Sequence, residues 1–184
     1  MAVCLLNPFI TFPTAGGGVS TDTGWLICTA CIDDGGGDTS WTLPSRATAD
    51  DGSETTNVMD RDEDITNKLF ASDFDAVLPD SITSVDGVTF KVQARRTTGD
   101  GCKLDNFRMK KNGTLVGSIN NFNTNLTASV VDYEIGGASD LWGTTWLYSN
   151  INHADTGISF NIEATDDDAT PGVDAVWMKV NYTT

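Results

Sequence analysis

Val88-Thr89-Phe90-Lys91-Val92-Gln93-Ala94-Arg95 is the stretch on which the fold turns. Apolar residues at 88, 90, 92 and 94 alternate with polar or charged ones, a period of two that faces one side of a strand to a core and the other to water. The same alternation returns in Phe107 and Met109 against Arg108 and Lys110, and in Val131 and Tyr133 against Asp132 and Glu134. It returns again in Ile158, Phe160 and Ile162 against Ser159, Asn161 and Glu163, and in Val176, Met178, Val180 and Tyr182. Lys111-Asn112-Gly113-Thr114 supplies the Asn-Gly pair that tolerates positive φ at both centres of a tight turn, so it predicts a hairpin between strands near 104–111 and 114–119. No stretch sustains a 3.6-residue apolar period, and short helical turns are expected only near 64–72 and 148–154. Several short strands, at least one pair antiparallel, predict an all-β protein: an antiparallel β-sandwich of jelly-roll type.

The 184 residues suffice for one ordinary domain that buries its core without staples. Residues 13–24 and 33–40 are rich in Gly, Ser, Thr and Asp and flank a single apolar run from Trp25 to Ile32. The expected organisation is an extended N-terminal arm over 1–37, with one short strand and two flexible joints, ahead of the sandwich at 38–184. Phe9, Phe12, Trp25 and Ile27 are the candidate interface residues of that arm, for a partner that is another chain. The opening Met1–Ile10 is apolar but has no basic residue before it and is interrupted by Pro8, so a packing segment fits better than a secretory signal. No segment approaches the ~18 consecutive apolar residues of a membrane-spanning helix, so a soluble protein is expected.

Eleven Lys and Arg against 26 Asp and Glu give a formal charge of −15, which repels phosphates and argues against nucleic-acid binding. Residues 38–86 alone carry −9, whereas seven of the eleven basic residues, Lys91, Arg95, Arg96, Lys103, Arg108, Lys110 and Lys111, fall between 91 and 111. Solvent-facing positions of two strands explain the basic cluster. Complementary surfaces that meet between subunits are the second explanation. A single histidine, His153, leaves little room for imidazole-based catalysis or multi-histidine metal sites.

Few residues form constellations capable of chemistry. Cys28-Thr29-Ala30-Cys31 has the spacing of a zinc half-site or a redox pair, but a second pair and a βαβ context are both missing, so the cysteines read as buried strand residues. Asp60-Arg61-Asp62-Glu63-Asp64 and Asp166-Asp167-Asp168 match no twelve-residue calcium loop and read as solvated acidic loops. With 26 acids, nominating a glycosidase pair would carry no information. Trp142 and Trp146 stand four apart beside Gly143. Exposed, they would stack on sugars and are the candidate ligand-binding residues; buried, the reading favoured here, they close one end of the sandwich. No catalytic residue, metal ligand or cofactor is expected.

Several segments together resemble a β-sandwich module common among tailed-phage virion structural proteins. They are Trp41-Thr42-Leu43-Pro44, Ala47–Ser53, Leu69–Phe74 and Asp86–Val92, then Asn112–Ser118, Gly136–Gly143, Ile151-Asn152, Gly157-Ile158 and Val173–Val180. The resemblance spans about 40–184, with no counterpart for 1–37. It implies a non-enzymatic jelly roll on the virion surface, made in the host cytoplasm. A short arm and one sandwich resemble a capsid decoration or cement subunit that binds the major capsid protein, or another virion protein, and its own copies as a homo-oligomer, most plausibly a trimer. The alternative the resemblance implies is a tail or fibre module that binds a surface glycan or receptor.

Overall fold

The chain is described by a computed structural model over residues 18–99 and 101–184. In chain order the strands are β1 (Ser20–Asp22), β2 (Leu26–Ile27), β3 (Ala30–Asp33), β4 (Thr55–Thr56), β5 (Leu69–Ser72) and β6 (Ser84–Thr98). They continue as β7 (Cys102–Lys111), β8 (Thr114–Leu115), β9 (Thr124–Asn125), β10 (Val131–Gly136), β11 (Gly157–Ala164) and β12 (Thr170–Thr183), with one helical turn, α1 (Tyr148–Ile151), before β11. The strands form two antiparallel sheets facing each other, a β-sandwich of the jelly-roll class.

The first sheet is built on the long pairing of β6 with β12, which runs from Ser84 opposite Thr183 to Thr98 opposite Thr170. β10 lies on the far side of β6. On the far side of β12 the chain lays down β1, β2 and β4 in succession, so three short segments share one strand. The second sheet runs β3, β5, β11, β7, β8, with β9 also on β7. The predicted hairpin joins β7 to β8, with Asn112 at φ 50° and Gly113 at φ 79°, the left-handed pair this turn demands.

The alternation in sequence is the core in space. Val88, Phe90, Val92 and Ala94 of β6 are all fully buried, as are Val176, Met178 and Val180 of β12. They face Leu104, Phe107 and Met109 of β7 and Ile158, Phe160 and Ile162 of β11, also fully buried. Phe107 and Phe160 stack with ring centroids 4.9 Å apart and planes inclined by 16°, and Phe90 meets Phe74 at 5.8 Å. Gly157 lets β11 approach β5 so closely that a Cβ there would collide with the Ala71 carbonyl.

Two expectations change. Residues 20–33 are not a free arm with one strand: they form β1 and β2 on the first sheet and β3 on the edge of the second, in the same chain. Phe9 and Phe12 lie outside the described residues. The turn expected over 64–72 is instead β5, whose four residues are all buried; an unalternating apolar run is ambiguous by period alone. The turn expected at 148–154 is present as α1.

The Cys-x-x-Cys segment is core. Cys28, Cys31 and Cys102 are free and buried. Burial pushes the Cys28 thiol up to about 12, against hydrogen bonds that favour the thiolate. It pushes Cys102 up to about 11 and raises Cys31 further, with Cys28 adding to the effect.

Two outcomes follow from this packing. Gly157→Ala drives a methyl into a backbone oxygen that cannot swing aside and should cost ~1–3 kcal/mol, lowering Tm by several degrees in a thermal melt. In a Cys4→Ser background the three core thiols should resist alkylation at pH 8 until the protein unfolds. Because the folded thiols hold their protons above the unfolded value of 9.0, stability should fall as pH rises from about 9 towards 12. Denaturation midpoints that stay level across that window would refute the burial of these groups.

Candidate functional site

The tryptophans nominated for sugar stacking serve the fold. Trp142 is 3% exposed, and its indole N–H donates to the Val88 carbonyl at 2.9 Å. Its backbone sits at φ 57°, held by a bond from its N–H to Asp140 Oδ1 at 2.7 Å, and its ring meets Phe90 edge-on at 5.7 Å. Trp146 donates to the Leu141 carbonyl at 3.1 Å, under the Lys111 ammonium 5.3 Å from the ring centroid. Neither offers a free face, which corrects their nomination as a stacking platform; they close an end of the sandwich. Trp25 and Ile27, nominated as arm contacts, lie against their own chain. Ile27 pairs with Trp177, and Trp25 takes Lys179 at 4.6 Å over its ring while Lys91 sits 3.9 Å from the ring of Trp177.

The basic cluster of 91–111 does not form one surface. β6 and β7 belong to different sheets, so their outward side chains face opposite sides of the molecule. Acids of the same chain already answer most of them: Lys91 meets Asp132 at 3.2 Å, Arg95 meets Glu54 at 2.7 Å, Lys103 meets Glu163 at 3.0 Å and Lys110 meets Asp34 at 2.6 Å. The two acidic loops adjoin, with the Asp62 N–H donating to Asp167 Oδ1 at 2.9 Å. Among the described residues, no group of three or more His, Cys, Asp or Glu side chains is placed to hold a metal ion. Asp174 is 3% exposed, and its carboxyl is raised chiefly by burial and further by Asp50, Asp51 and Glu54, against a bond from the Gly52 N–H.

The arrangement best suited to a ligand lies on the outer face of the second sheet, and a β-bulge builds it. Ser159 pairs with Arg108 while Asn161 pairs with Asp105, so β7 spends one residue more than β11 between those two points. Asn106 absorbs the excess at φ 52°. The bulge shifts the phase of β7, so that Cys102 and Leu104 point inward before it and Phe107 and Met109 after it. Beside it the segment after β8 runs back along the edge of β7, where Phe107 and Asn120 exchange backbone bonds at 3.0 and 2.8 Å in an antiparallel bridge.

Across this outer face lies a groove of about 240 Å³, lined by Gly36, Lys68, Asn106, Arg108, Leu115, Ile119, Ser159 and Asn161. Ser159 and Asn161 form its floor and are 1% and 4% exposed, yet Ser159 Oγ and Asn161 Oδ1 have no hydrogen-bond partner among the described residues. Buried polar atoms are normally satisfied, at a cost of ~1–3 kcal/mol when they are not. Asp105 Oδ1, opposite Asn161 in the ladder, is also buried and unpartnered. Ile119, 53% exposed, stands between this groove and a shallower depression of about 360 Å³ bordered by Ser118, Asn120, Asn121 and Asp140. In sequence Ser159 and Asn161 read as water-facing positions of an alternating strand. The available signal was the slip in the apolar phase between Leu104 and Phe107.

No protein-family model matches the chain, and no curated protein matches its sequence. Its fold is similar to the xylan-binding domain CBM22-1 of Paenibacillus barcinonensis Xyn10C, at 12% identity and a TM-score of 0.37, covering 89% of this chain and 96% of that one. It is similar also to the family 11 carbohydrate-binding module of Clostridium thermocellum, solved with a mixed-linked tetrasaccharide, at 14% identity and a TM-score of 0.40, covering 86% and 88%.

Proposed function

We propose that this chain is a non-catalytic, glycan-binding β-sandwich module whose ligand lies in the groove over β11 and β7. The observation that carries this reading is the pair Ser159 Oγ and Asn161 Oδ1, buried and unpartnered on the floor of an open groove. A sugar hydroxyl both donates and accepts, so it satisfies a serine hydroxyl and an amide oxygen at once. The volume is just under the ~300 Å³ at which small-molecule pockets ordinarily begin, which suits one ring at a time, and Leu115 and Ile119 offer apolar contact to its C–H face. No aromatic ring lines the groove, so recognition is by hydrogen bonds rather than by stacking. The absence of catalysis is supported by thiols held protonated through burial and by His153, whose Nδ1 accepts the Asp155 N–H at 3.1 Å in a turn.

A second reading concerns where such a module works. The ordered segments that resemble tailed-phage virion proteins favour a place on a virus particle, as a decoration subunit or a tail module. Both sheets also keep an edge that carries exposed apolar residues: Val131 at the start of β10 and Ile32 on β3. An edge strand of this kind adds strands from another copy or from a capsid protein.

Ser159→Ala with Asn161→Leu should abolish glycan-array binding while leaving Tm unchanged or raising it, because the substitutions remove unsatisfied buried atoms. Retained binding by that double variant would refute the groove as the site. For the particle, deleting residues 1–17 keeps every described strand, and occupancy of empty heads should drop if the segment docks there. Undiminished occupancy would exclude that role.

A further inference from the structure

We infer that the sugar held in this groove is acidic, with its carboxylate taken by Lys68 and Arg108. The inference rests on the glycan reading above and narrows its ligand class. Of the eleven basic side chains, Lys68 and Arg108 are the two that line the groove, among the described residues. Lys91, Arg95, Lys103 and Lys110 are all paired. Lys68 and Arg108 are not among the ion pairs of the described residues, although both are only partly exposed and both line the same groove. The Arg108 side chain makes one protein hydrogen bond, from Nε to the Val116 carbonyl at 3.4 Å, which leaves the rest of its planar fork free for a two-point contact with a carboxylate.

The groove is divided by chemistry. Ser159 and Asn161 on the floor present a hydroxyl and an amide oxygen, groups that pair with ring hydroxyls. Lys68 stands one residue before β5, and Arg108 faces Ser159 across the β7–β11 ladder, so both cations belong to the second sheet. A pyranose with hydroxyls on one side and a carboxylate on another, a uronic or sialic acid, uses both sets at once. A neutral sugar would cover the two cations without answering either, whereas an acidic peptide would leave the hydroxyl-matching floor unused. Asp105 lies beside Asn161 and has a buried unpartnered oxygen.

The test compares uronic-acid oligosaccharides with their carboxyl-reduced neutral counterparts by calorimetry, on the wild-type chain, Lys68→Gln, Arg108→Gln and the Ser159→Ala, Asn161→Leu double variant. The acidic ligand should bind wild type about tenfold or more tighter than its reduced form, as expected of charge-assisted bonds. That margin should shrink with added salt and vanish in Arg108→Gln. Equal binding of both forms to wild type, lost in the double variant, overturns the acidic preference and leaves the glycan reading standing. Binding of neither form overturns both. An unchanged margin in both charge variants, with Tm preserved, overturns the assignment to Lys68 and Arg108.

Discussion

The pairing of β6 with β12 is the constraint on which the rest depends. It supplies the inner wall of the first sheet through Val88, Phe90, Val92 and Ala94 on one strand and Val176, Met178 and Val180 on the other. Its outer flank is the template on which β1, β2 and β4 are placed, none longer than three residues. Strands that short hold no position by themselves. Even the end closure hangs on it, because the Trp142 indole is anchored to the Val88 carbonyl of β6.

The second sheet is where regularity is given up. A bulge costs a ladder its register and leaves a residue unpaired, and proteins keep such features where a side chain must be re-aimed. Here the extra residue, Asn106, lets Phe107 stack on Phe160 inside while Ser159 and Asn161 keep to the grooved outer face. The unsatisfied oxygens of that floor weaken the fold, and they are the ones the proposed ligand would complete.

How much of this was legible follows from the physics of pattern. Val88–Arg95, Ile158–Glu163 and Asn112-Gly113 each state their conformation locally, through period or turn chemistry, and the sandwich follows from them. β5 does not, because Leu69, Phe70, Ala71 and Ser72 are buried on both faces and an unbroken apolar run has no period. Residues 20–33 were hidden by glycine-rich flanks and by strands too short to show alternation, and β1 and β2 are placed by partners more than a hundred residues away. The burial of Trp142 and Trp146 followed from the need to close an end of the sandwich. The groove did not, because the polar phase of β11 looks like a wet surface, whereas Ser159 and Asn161 are buried within the second sheet. The basic cluster is spread over outward positions of two strands, as its alternation implies; what the sequence hid is that Lys91 and Lys103, twelve positions apart, belong to opposite layers.

β1 lies against the end of β12, with Ser20 opposite Thr183, and Val19 and Thr184 exchange backbone bonds at 3.3 and 3.1 Å. Whatever is joined to either side of the described chain therefore leaves from one corner of the first sheet, and the groove opens on the other layer. A module tethered there behaves like a plaque on a bracket. Ser20 and Thr183 lie on the first layer and the groove on the second, so a fusion or anchor through that corner would stand apart from the proposed ligand.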